Sequence, residues 1–302
     1  MMKILDPQMP AGCETCVSVG YFDGVHLGHR AVIGTAVRCA KRHGRTSAVL
    51  TFDMRAARAG KKGAADLLPM DDRIRQIEDL GVGLLAVLDF ASIRGMSGEQ
   101  FVDEILVRQL SAKAVFCGHD FRFARGGSCG VDELRALCAP RGIRVRVVRD
   151  VSDINGAVST TRIKSLVQEG RMDAAAALLG RRYGFLLPVL RGKGLAHRLG
   201  FPTINQRFPE GIVLPRFGVY RTHIELDGRT YAGVTNVGVR PTVAHADGGV
   251  FIETFIIGFD GDLYGRDVFV GFGDFMRDER KFDGEDALRR QVEADIAAAQ
   301  GK

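Results

Sequence analysis

The chain has 302 residues, 46% of them hydrophobic and 26% charged, which is the balance of a globular protein with room for two domains of ordinary size. Its formal net charge of +6 indicates an acidic partner, but the basic residues are dispersed and no stripe of them alternates with aromatic residues, so small phosphorylated ligands are favoured over a nucleic acid. No apolar run approaches the ~20 residues of a membrane helix, and the N-terminus lacks the apolar run of a signal peptide, so a cytoplasmic protein is expected.

The first half of the chain alternates short apolar strands with amphipathic helices. The predicted strands are 16–20, 47–52, 84–90, 113–118 and 143–148. The predicted helices are 27–43, 71–80, 98–110 and 131–140. This alternation predicts an α/β domain with a mainly parallel sheet, helices over its faces and right-handed crossovers.

A helical segment over 159–183 follows, with a break at Gly170. Because Ser159 or Thr160 can cap its first helix, the segment predicts a helical bridge that closes the first domain. We therefore predict that the first domain spans residues 1–182.

The composition changes after this bridge. Short strands rich in β-branched and aromatic residues are separated by Gly, Pro and Asp-Gly turns, and such strands predict a small antiparallel Greek-key β-barrel over 183–302. The last stretch, 284–299, predicts a C-terminal helix with Leu288, Val292 and Ile296 on one face.

Six cysteines are scattered along the chain, and Cys13 and Cys16 form a lone CxxC pair. A zinc site would need a second ligand pair at suitable spacing, and none follows. A redox pair should open a helix after a strand, whereas this pair precedes a strand. Reduced thiols are therefore expected.

The sequence GYFDGVHLGH, from Gly20 to His29, joins the first strand to the first helix. Gly24 allows a close backbone approach, and the helix that begins near His26 presents free N–H groups and a positive dipole end, which bind anions. Both imidazoles can donate hydrogen bonds to phosphate oxygens there, and Gly28 leaves room for a nucleotide. This arrangement suits nucleotidyl transfer, in which a phosphate attacks the α-phosphorus of ATP and pyrophosphate leaves. The alternative is two surface histidines at a helix start.

The motif resembles the His-x-Gly-His signature of nucleotidyltransferases. Its Phe-Asp-Gly part resembles the FMN adenylyltransferase half of bacterial bifunctional riboflavin kinase/FAD synthetases. The resemblance implies a Rossmann-like nucleotidyltransferase domain in which His26 and His29 are catalytic. It also implies a set of nucleotide-binding residues in the turn: Gly20, Phe22, Asp23, Gly24 and Gly28.

Two further segments resemble the same family. GHDFRFARGGSCG (118–130) resembles its Gly-x-Asp/Asn-Phe-x-Phe-Gly segment, with Ala124 in place of the second glycine, which implies that Asp120 and Phe121 bind flavin. VSTTR resembles its Ser-Ser-Thr-Arg signature, and hydroxyls with a guanidinium at a helix start are good phosphate donors. The nucleotide-binding residues implied there are Ser159, Thr160, Thr161 and Arg162. Alone, that motif would be a plain helix cap.

The chain departs from the family after the second strand. The family usually has Thr-Phe-x-Pro-His-Pro, with flavin and nucleotide contacts nearby, whereas TFDMRAARAGKKG (51–63) has neither the prolines nor the histidine. The basic replacement could bind phosphate by another route, or it could mark a weakened adenylyltransferase. The sequence leaves both open.

A second constellation, RGKGLAHRLGFPTINQ (191–206), precedes the barrel strands. Thr203 and Asn205 share a face of an extended segment, and their oxygens suit Mg²⁺ bound to ATP phosphates. The alternative is an ordinary Gly-Pro turn. The segment resembles the GFPTAN signature of riboflavin kinases, with Ala196 where the family usually has glycine. The resemblance implies four ATP-binding residues: Gly192, Lys193, Gly200 and Pro202.

Glu253 lies within an apolar β-run, where a carboxylate is costly to bury unless it is paired or functional. An outward-facing strand residue is the alternative. The segment 252–265 resembles the one that carries the catalytic glutamate of riboflavin kinases, which implies that Glu253 is the general base for the ribityl 5′-hydroxyl. NVGVRPT and MRDERKF resemble flavin-side elements and imply four flavin-binding residues: Asn236, Arg240, Thr242 and Arg277.

These motifs follow the family order along nearly the whole chain and predict a bifunctional enzyme. The second domain would phosphorylate riboflavin to FMN with ATP and Mg²⁺, and the first would adenylate FMN to FAD and release pyrophosphate. One alternative is a riboflavin kinase with an impaired first domain. Another is a flavin- or nucleotide-binding regulatory module without turnover, against which Glu253, Thr203 and Asn205 argue together.

Overall fold

A computed structural model of the chain describes residues 1–6, 9–54, 65–191, 200–239 and 249–301. The chain divides into two compact units, Met1–Thr160 and Thr161–Lys302. The helical bridge is thus grouped with the second unit, because its later helix packs against two barrel strands. The domain boundary at residues 182 and 183 stays a prediction. Within the described residues, no helix is both long and apolar enough to cross a membrane.

The first unit contains a six-stranded sheet in the order β1-β4-β3-β2-β5-β6, and every neighbouring pair is parallel. Its strands are β1 (Lys3–Ile4), β2 (Thr15–Val19), β3 (Thr46–Asp53), β4 (Leu84–Asp89), β5 (Ala112–Cys117) and β6 (Arg144–Val147). The five predicted strands are confirmed. The sequence analysis missed β1, because a strand of two residues is too short to show an alternating hydrophobic pattern. A small hairpin follows, with β7 (Ser152–Asp153) and β8 (Gly156–Ala157).

Helices cover both faces of this sheet. They are α1 (Leu27–Arg42), α2 (Met70–Glu78), α3 (Phe90–Ile93), α4 (Gly98–Gln100) and α5 (Val131–Cys138). The apolar residues of α1 recur at helical spacing, with Ile33, Ala36 and Ala40 buried against the sheet. The predicted parallel sheet with helices over its faces is therefore confirmed.

The helix predicted over 98–110 differs from the one observed. Only α4 is α-helical, and Phe101–Gln109 continues as a π-helix. Its wider turn is visible where the N–H of Leu110 donates to the carbonyl of Ile105, five residues earlier. The spacing of the apolar residues does not distinguish an α-helix from a π-helix here, because both would bury the same side of the segment.

Helix α6 (Thr160–Gln168) starts at the last residue of the first unit and continues into the second. The second unit then contains α7 (Met172–Leu179) and an antiparallel sheet in the order β10-β13-β12-β11-β14-β9. The strands are β9 (Tyr183–Pro188), β10 (Thr203–Arg207), β11 (Gly218–Leu226), β12 (Arg229–Val239), β13 (Val250–Ile256) and β14 (Asp267–Arg277). The neighbours β14, β11, β12 and β13 have the order 4-1-2-3 of a Greek key.

The two end strands of this sheet approach each other and close the barrel. Leu190, just after β9, donates its N–H to the carbonyl of Asn205 on β10 at 2.7 Å. The interior holds a chain of hydroxyl hydrogen bonds, 2.7 Å from Thr222 to Thr235 and 2.8 Å from Thr235 to Thr254. All three threonines are buried, so the pairing removes the cost of unsatisfied hydroxyls. The C-terminal helix α8 (Glu285–Gln300) packs outside the barrel, against β12.

Candidate active sites

The first candidate site is the turn that follows β2. Three of its residues have left-handed backbone conformations, with φ of 53° at Phe22, 78° at Gly24 and 42° at Val25. Glycine adopts the positive φ at Gly24 without steric cost. At Phe22 and Val25 the positive φ strains the backbone, and such strain clusters at functional sites. A Cβ on Gly20 would lie 2.9 Å from the Phe22 ring, so the glycine makes room for that ring.

The two histidines of the motif stand at the start of α1. His26 is the N-cap, and its Nδ1 accepts a hydrogen bond from the backbone N–H of His29 at 3.3 Å. The two rings are stacked with centroids 3.6 Å apart. The Phe22 ring contacts His29 edge-on at 5.3 Å. A Cβ on Gly28 would lie 3.1 Å from Cε1 of His26, so this glycine accommodates the histidine ring.

His29 is held in its neutral form. Burial, the adjacent His26 and the positive charge of Arg73 lower the pKa of His29 well below its usual value. Its Nδ1 is buried and has no hydrogen-bond partner within the described parts of the chain. A neutral imidazole can donate one hydrogen bond and accept another. His29 can therefore offer a polar ring nitrogen without adding a fixed charge.

Arg73, on α2, is a buried residue beside this turn that the sequence analysis missed. Its side chain is only 1% exposed, and its Nη2 lies 3.2 Å from the carboxylate of Asp66 and 4.0 Å from that of Asp23. Its Nη1 donates to the carbonyl of Tyr21 at 3.2 Å, and its guanidinium lies 4.4 Å from the Tyr21 ring centroid. Burial raises the pKa of Tyr21 to about 12. Arg73 thus fixes the turn that leads to the histidines.

Asp23 points away from solvent. It is 1% exposed, and its Oδ1 accepts a hydrogen bond from the N–H of Leu67 at 2.8 Å. Its backbone carbonyl accepts from the hydroxyl of Thr160 at 3.4 Å. The structure thus brings Thr160 of the second motif to the turn of the first. Thr161 and Arg162 follow in the first turn of α6, and Ser159 precedes it.

The segment after β5 places Asp120 in solvent and Phe121 at half-burial. Phe121 stacks on the buried Phe123, with centroids 5.8 Å apart and planes at 10°. Ala124, the departure from the family pattern, has φ 64° and ψ −178°. This region of backbone space is essentially restricted to glycine, so alanine is strained there.

The second candidate site is a row of side chains across five barrel strands. The strand register places Glu253 of β13 opposite Asn205 of β10 on one side and opposite Asn236 of β12 on the other. The row continues through Val219 of β11 to Arg277 of β14. Directly opposed residues share a face, so these side chains converge.

This row faces away from the buried threonines, because Glu253 alternates with Thr254 along β13. The face is nevertheless covered, because α8 lies over it and encloses a cavity of about 260 Å³. The cavity is lined by Thr203, Glu253 and Asn236 from the sheet and by Leu288 and Val292 from α8. Glu253 is therefore half-buried at a cavity wall.

Two acidic residues at this cavity were not found by the sequence analysis. Asp295 of α8 is buried and forms a bidentate ion pair with Arg277, with Nη2 to Oδ2 at 2.7 Å. Glu279 accepts a hydrogen bond from the side-chain amide of Asn236 at 2.8 Å. Oδ1 of Asn236 is buried and has no hydrogen-bond partner in the described ranges. The Arg277–Asp295 pair ties β14 to α8.

The predicted Mg²⁺ ligands fit the chemistry of that ion. Thr203 and Asn205 are alternate residues of β10, and both offer oxygen donors beside the carboxylate of Glu253. Asn205 is 6% exposed, so its amide is fixed in a packed setting. Among the described residues there is no cluster of three His, Cys, Asp or Glu side chains that could hold a metal ion.

Six predicted binding residues of the barrel unit remain, and the structure describes two of them. Gly200 has φ 88° and Pro202 is exposed, and both precede β10. The others fall outside the described residues: Gly192, Lys193, Arg240 and Thr242. The same holds for most of the loop that replaces the Pro-His-Pro segment.

Both halves of the chain match known families. Residues 9–162 match the FAD synthetase family, and residues 179–301 match the riboflavin kinase family. The chain is a bifunctional riboflavin kinase/FMN adenylyltransferase family member. A protein of that name from Pseudomonas fluorescens is 34% identical over 94% of this chain and 92% of the relative. Another, from Listeria monocytogenes, is 32% identical over 92% of this chain and 89% of the relative.

The fold of this riboflavin kinase/FMN adenylyltransferase family member has a solved counterpart. A crystal structure described as a macrolide-efflux protein from Streptococcus pneumoniae matches it with a TM-score of 0.87 and 26% identity, over 100% of this chain and 99% of the other. The family models and the relatives confirm the family predicted from the motifs, and the solved structure confirms the two-part fold. The roles of individual residues stay predictions.

Proposed function

We propose that this chain makes FMN and then FAD. Its barrel unit would transfer the γ-phosphoryl group of ATP to riboflavin, and its α/β unit would transfer AMP from a second ATP to FMN. The observation that supports this best is the presence, in one chain, of matches to both the FAD synthetase and the riboflavin kinase families. Relatives of similar length bear the name of the bifunctional enzyme.

In the barrel unit, Glu253 would act as the general base. It would accept the proton of the ribityl 5′-hydroxyl while that oxygen attacks the γ-phosphorus and ADP leaves. Its position on the wall of a cavity, between Asn205 and Asn236, supports this role. The buried Oδ1 of Asn236 could accept a hydrogen bond from the flavin. Arg277 would hold the flavin side of the cavity in place through Asp295.

Thr203 and Asn205 would hold Mg²⁺, which neutralises phosphate charge when it is bound. The test is a titration of riboflavin phosphorylation with Mg²⁺ after treatment with a chelator. Full activity in metal-free protein, with riboflavin and ATP added but no metal ion, would contradict this assignment.

In the α/β unit, a phosphate oxygen of FMN would attack the α-phosphorus of ATP, and pyrophosphate would leave. His26 accepts at Nδ1, so its ring proton stands on Nε2 and can be donated to a phosphate oxygen. The free N–H groups at the start of α1 would add further donors. Ser159, Thr160, Thr161 and Arg162 would complete the nucleotide contacts.

The alternative is a riboflavin kinase with an impaired first unit, because the Pro-His-Pro loop is missing. The match over residues 9–162, with His26 and His29 retained, favours the bifunctional enzyme. The partners proposed are flavins and ATP, with no role for a nucleic acid. We also propose a cytoplasmic location, since six free cysteines suit a reducing compartment.

The experiment is a product assay. Purified protein is incubated with ATP and Mg²⁺ and either riboflavin or FMN, and the flavins are separated by chromatography. The bifunctional enzyme gives FAD from both substrates, with ADP and pyrophosphate as the other products. FMN that accumulates without FAD would favour the kinase alternative, and the absence of any flavin product would contradict the proposal.

A further inference from the structure

A basic cavity lies in the first unit, between the C-terminal half of α1 and strands β5 and β6. Its volume is about 670 Å³, within the range of small-molecule sites. Six basic side chains line it: Arg38, Arg42, His43, Arg45, Arg144 and Arg146. None of the described residues that line it is acidic.

Strand β6 supplies two of these arginines because of its register. Arg144 lies opposite Ala114 and Arg146 opposite Phe116, so both share the sheet face on which α1 packs. β6 is the last strand of the sheet, and α1 packs on β2, β3 and β5 rather than on β6. The two arginines therefore stand on an edge beside the helix, with the apolar side chains of Ala114 and Phe116 as part of the floor.

Helix α1 supplies the facing wall. Arg38 and Arg42 are four residues apart and share a side of the helix. Arg38 donates to the hydroxyl of Thr35, which also lines the cavity. Arg45 pairs with Glu14 at 3.0 Å. No ion pair with a carboxylate is formed by Arg38, Arg42, Arg144 or Arg146 within the described part of the chain.

This cavity is separate from the histidine site. His26 caps the start of α1, whereas Arg42 is its last residue. Sixteen residues of helix separate the two ends by about 24 Å. A ligand in the cavity would therefore not occupy the proposed adenylyl-transfer site.

We propose that this cavity is a binding site for a compact polyphosphate, either inorganic pyrophosphate or the diphosphate of a nucleotide. Guanidinium groups on two facing walls can each form paired hydrogen bonds to phosphate oxygens, and unpaired arginines lose no existing ion pair on binding. The apolar floor excludes water beneath the anion, which strengthens these contacts. The inference goes beyond the proposed function and does not depend on it.

The test measures binding of pyrophosphate, and separately of ADP, by titration calorimetry. The cavity variant is Arg144→Ser with Arg146→Ser. Its control is Arg94→Ser with Arg229→Ser, which removes the same charge from two exposed arginines outside the cavity. We expect the cavity variant to lose one class of sites, or to weaken it about tenfold or more, and the control to bind like the wild type.

The alkylation rate of Cys39 can report whether the ligand binds in this cavity, because Cys39 is partly exposed and lines it. Its alkylation, followed by mass spectrometry, should slow several-fold in saturating pyrophosphate. Cys13 is exposed and does not line the cavity, so its alkylation should not change.

The arms of the experiment separate the possible ligands. Tighter binding of ADP than of pyrophosphate identifies a nucleotide site, and the reverse identifies an inorganic one. Equal losses of binding affinity in the cavity variant and the control would overturn the proposal. So would pyrophosphate that protects Cys39 from alkylation as well in the cavity variant as in the wild type. An oligonucleotide that binds more tightly than either probe, and only to protein with the arginines intact, would overturn it in favour of a nucleic-acid surface.

Discussion

The imidazole rings of His26 and His29 are stacked, with centroids 3.6 Å apart and planes inclined by 21°. Two imidazolium ions at this distance would repel each other strongly, and the nearby guanidinium of Arg73 adds to that repulsion. The motif therefore contributes its ring nitrogens and backbone N–H groups with His29 uncharged. The phosphate binding proposed for this motif would therefore depend on directed hydrogen bonds more than on charge from His29.

The first prediction concerns stability at acid pH. Unfolded His29 takes up a proton near pH 6.5, whereas the folded residue stays neutral until a much lower pH. The unfolded state therefore binds more protons below pH 6.5, and His29 destabilises the fold progressively as the pH falls, while it contributes nothing of this kind above that pH. Relative to His29→Asn, wild-type unfolding free energy should fall by up to about 1.4 kcal/mol per pH unit. Denaturant unfolding at pH 7.5, 6.5 and 5.5 measures it, and a difference that is constant with pH would contradict it.

The second prediction concerns the buried guanidinium of Arg73. Arg73→Met removes the buried guanidinium that lies beside the carboxylates of Asp23 and Asp66, and breaking a buried ion pair costs about 3–5 kcal/mol. Thermal unfolding of the first unit should move to a lower temperature, and FAD formation from FMN should fall while FMN formation from riboflavin persists. Arg75→Met is the matched control, since Arg75 is half-exposed and its pair with Asp72 lies at the surface. Equal effects of the two substitutions would refute the role of Arg73.

The third prediction is a stabilising substitution. Ala124 stands at φ 64° and ψ −178°, where a Cβ costs about 1–3 kcal/mol and glycine costs nothing. Ala124→Gly should therefore raise the unfolding free energy by about 1 kcal/mol, after allowance for the extra entropy of unfolded glycine. Ala139→Gly is the control, because Ala139 has φ −56° and ψ −49° and should lose about 0.5–1 kcal/mol instead. A loss at both positions would show that Ala124 is not strained.

The fourth prediction separates the two activities. Glu253→Gln keeps the shape of the side chain but removes the base, so riboflavin phosphorylation should fall by about 10²–10⁴-fold in kcat. FAD formation from added FMN should continue at the wild-type rate, since this activity is assigned to the other unit. Glu225→Gln, at an exposed position on β11, removes the same charge and should leave both rates unchanged. Product formation from riboflavin and from FMN is followed in parallel, and an unchanged rate from riboflavin in the Glu253 variant would disprove the assignment.

Most elements of the first unit and the family could be predicted from local patterns in the sequence. Strands such as β2 and β3 and helices such as α1 follow from local apolar periodicity, because burial of one face requires neighbouring residues to repeat with the period of the element. The position of the histidine motif could also be predicted, because a strand, a glycine turn and a helix start are consecutive in the chain. The departure at Ala124 was also visible, but its strain was not, because a backbone angle depends on how the loop is tied at both ends.

Which side chains come into contact depends on long-range packing and could not be predicted from local patterns. Arg73 contacts Tyr21 across 52 positions of sequence, and nothing in the pattern of α2 marks it as buried. The alternation along β13 shows which residues share a face with Glu253. Whether that face is exposed to solvent depends on α8, which returns to cover it. The row of arginines on β6 met those of α1 only because the sheet ends there. Local sequence sets the hydrophobic period of each element. Long-range packing sets which faces meet, and it therefore determines which polar groups are removed from solvent and which groups they contact.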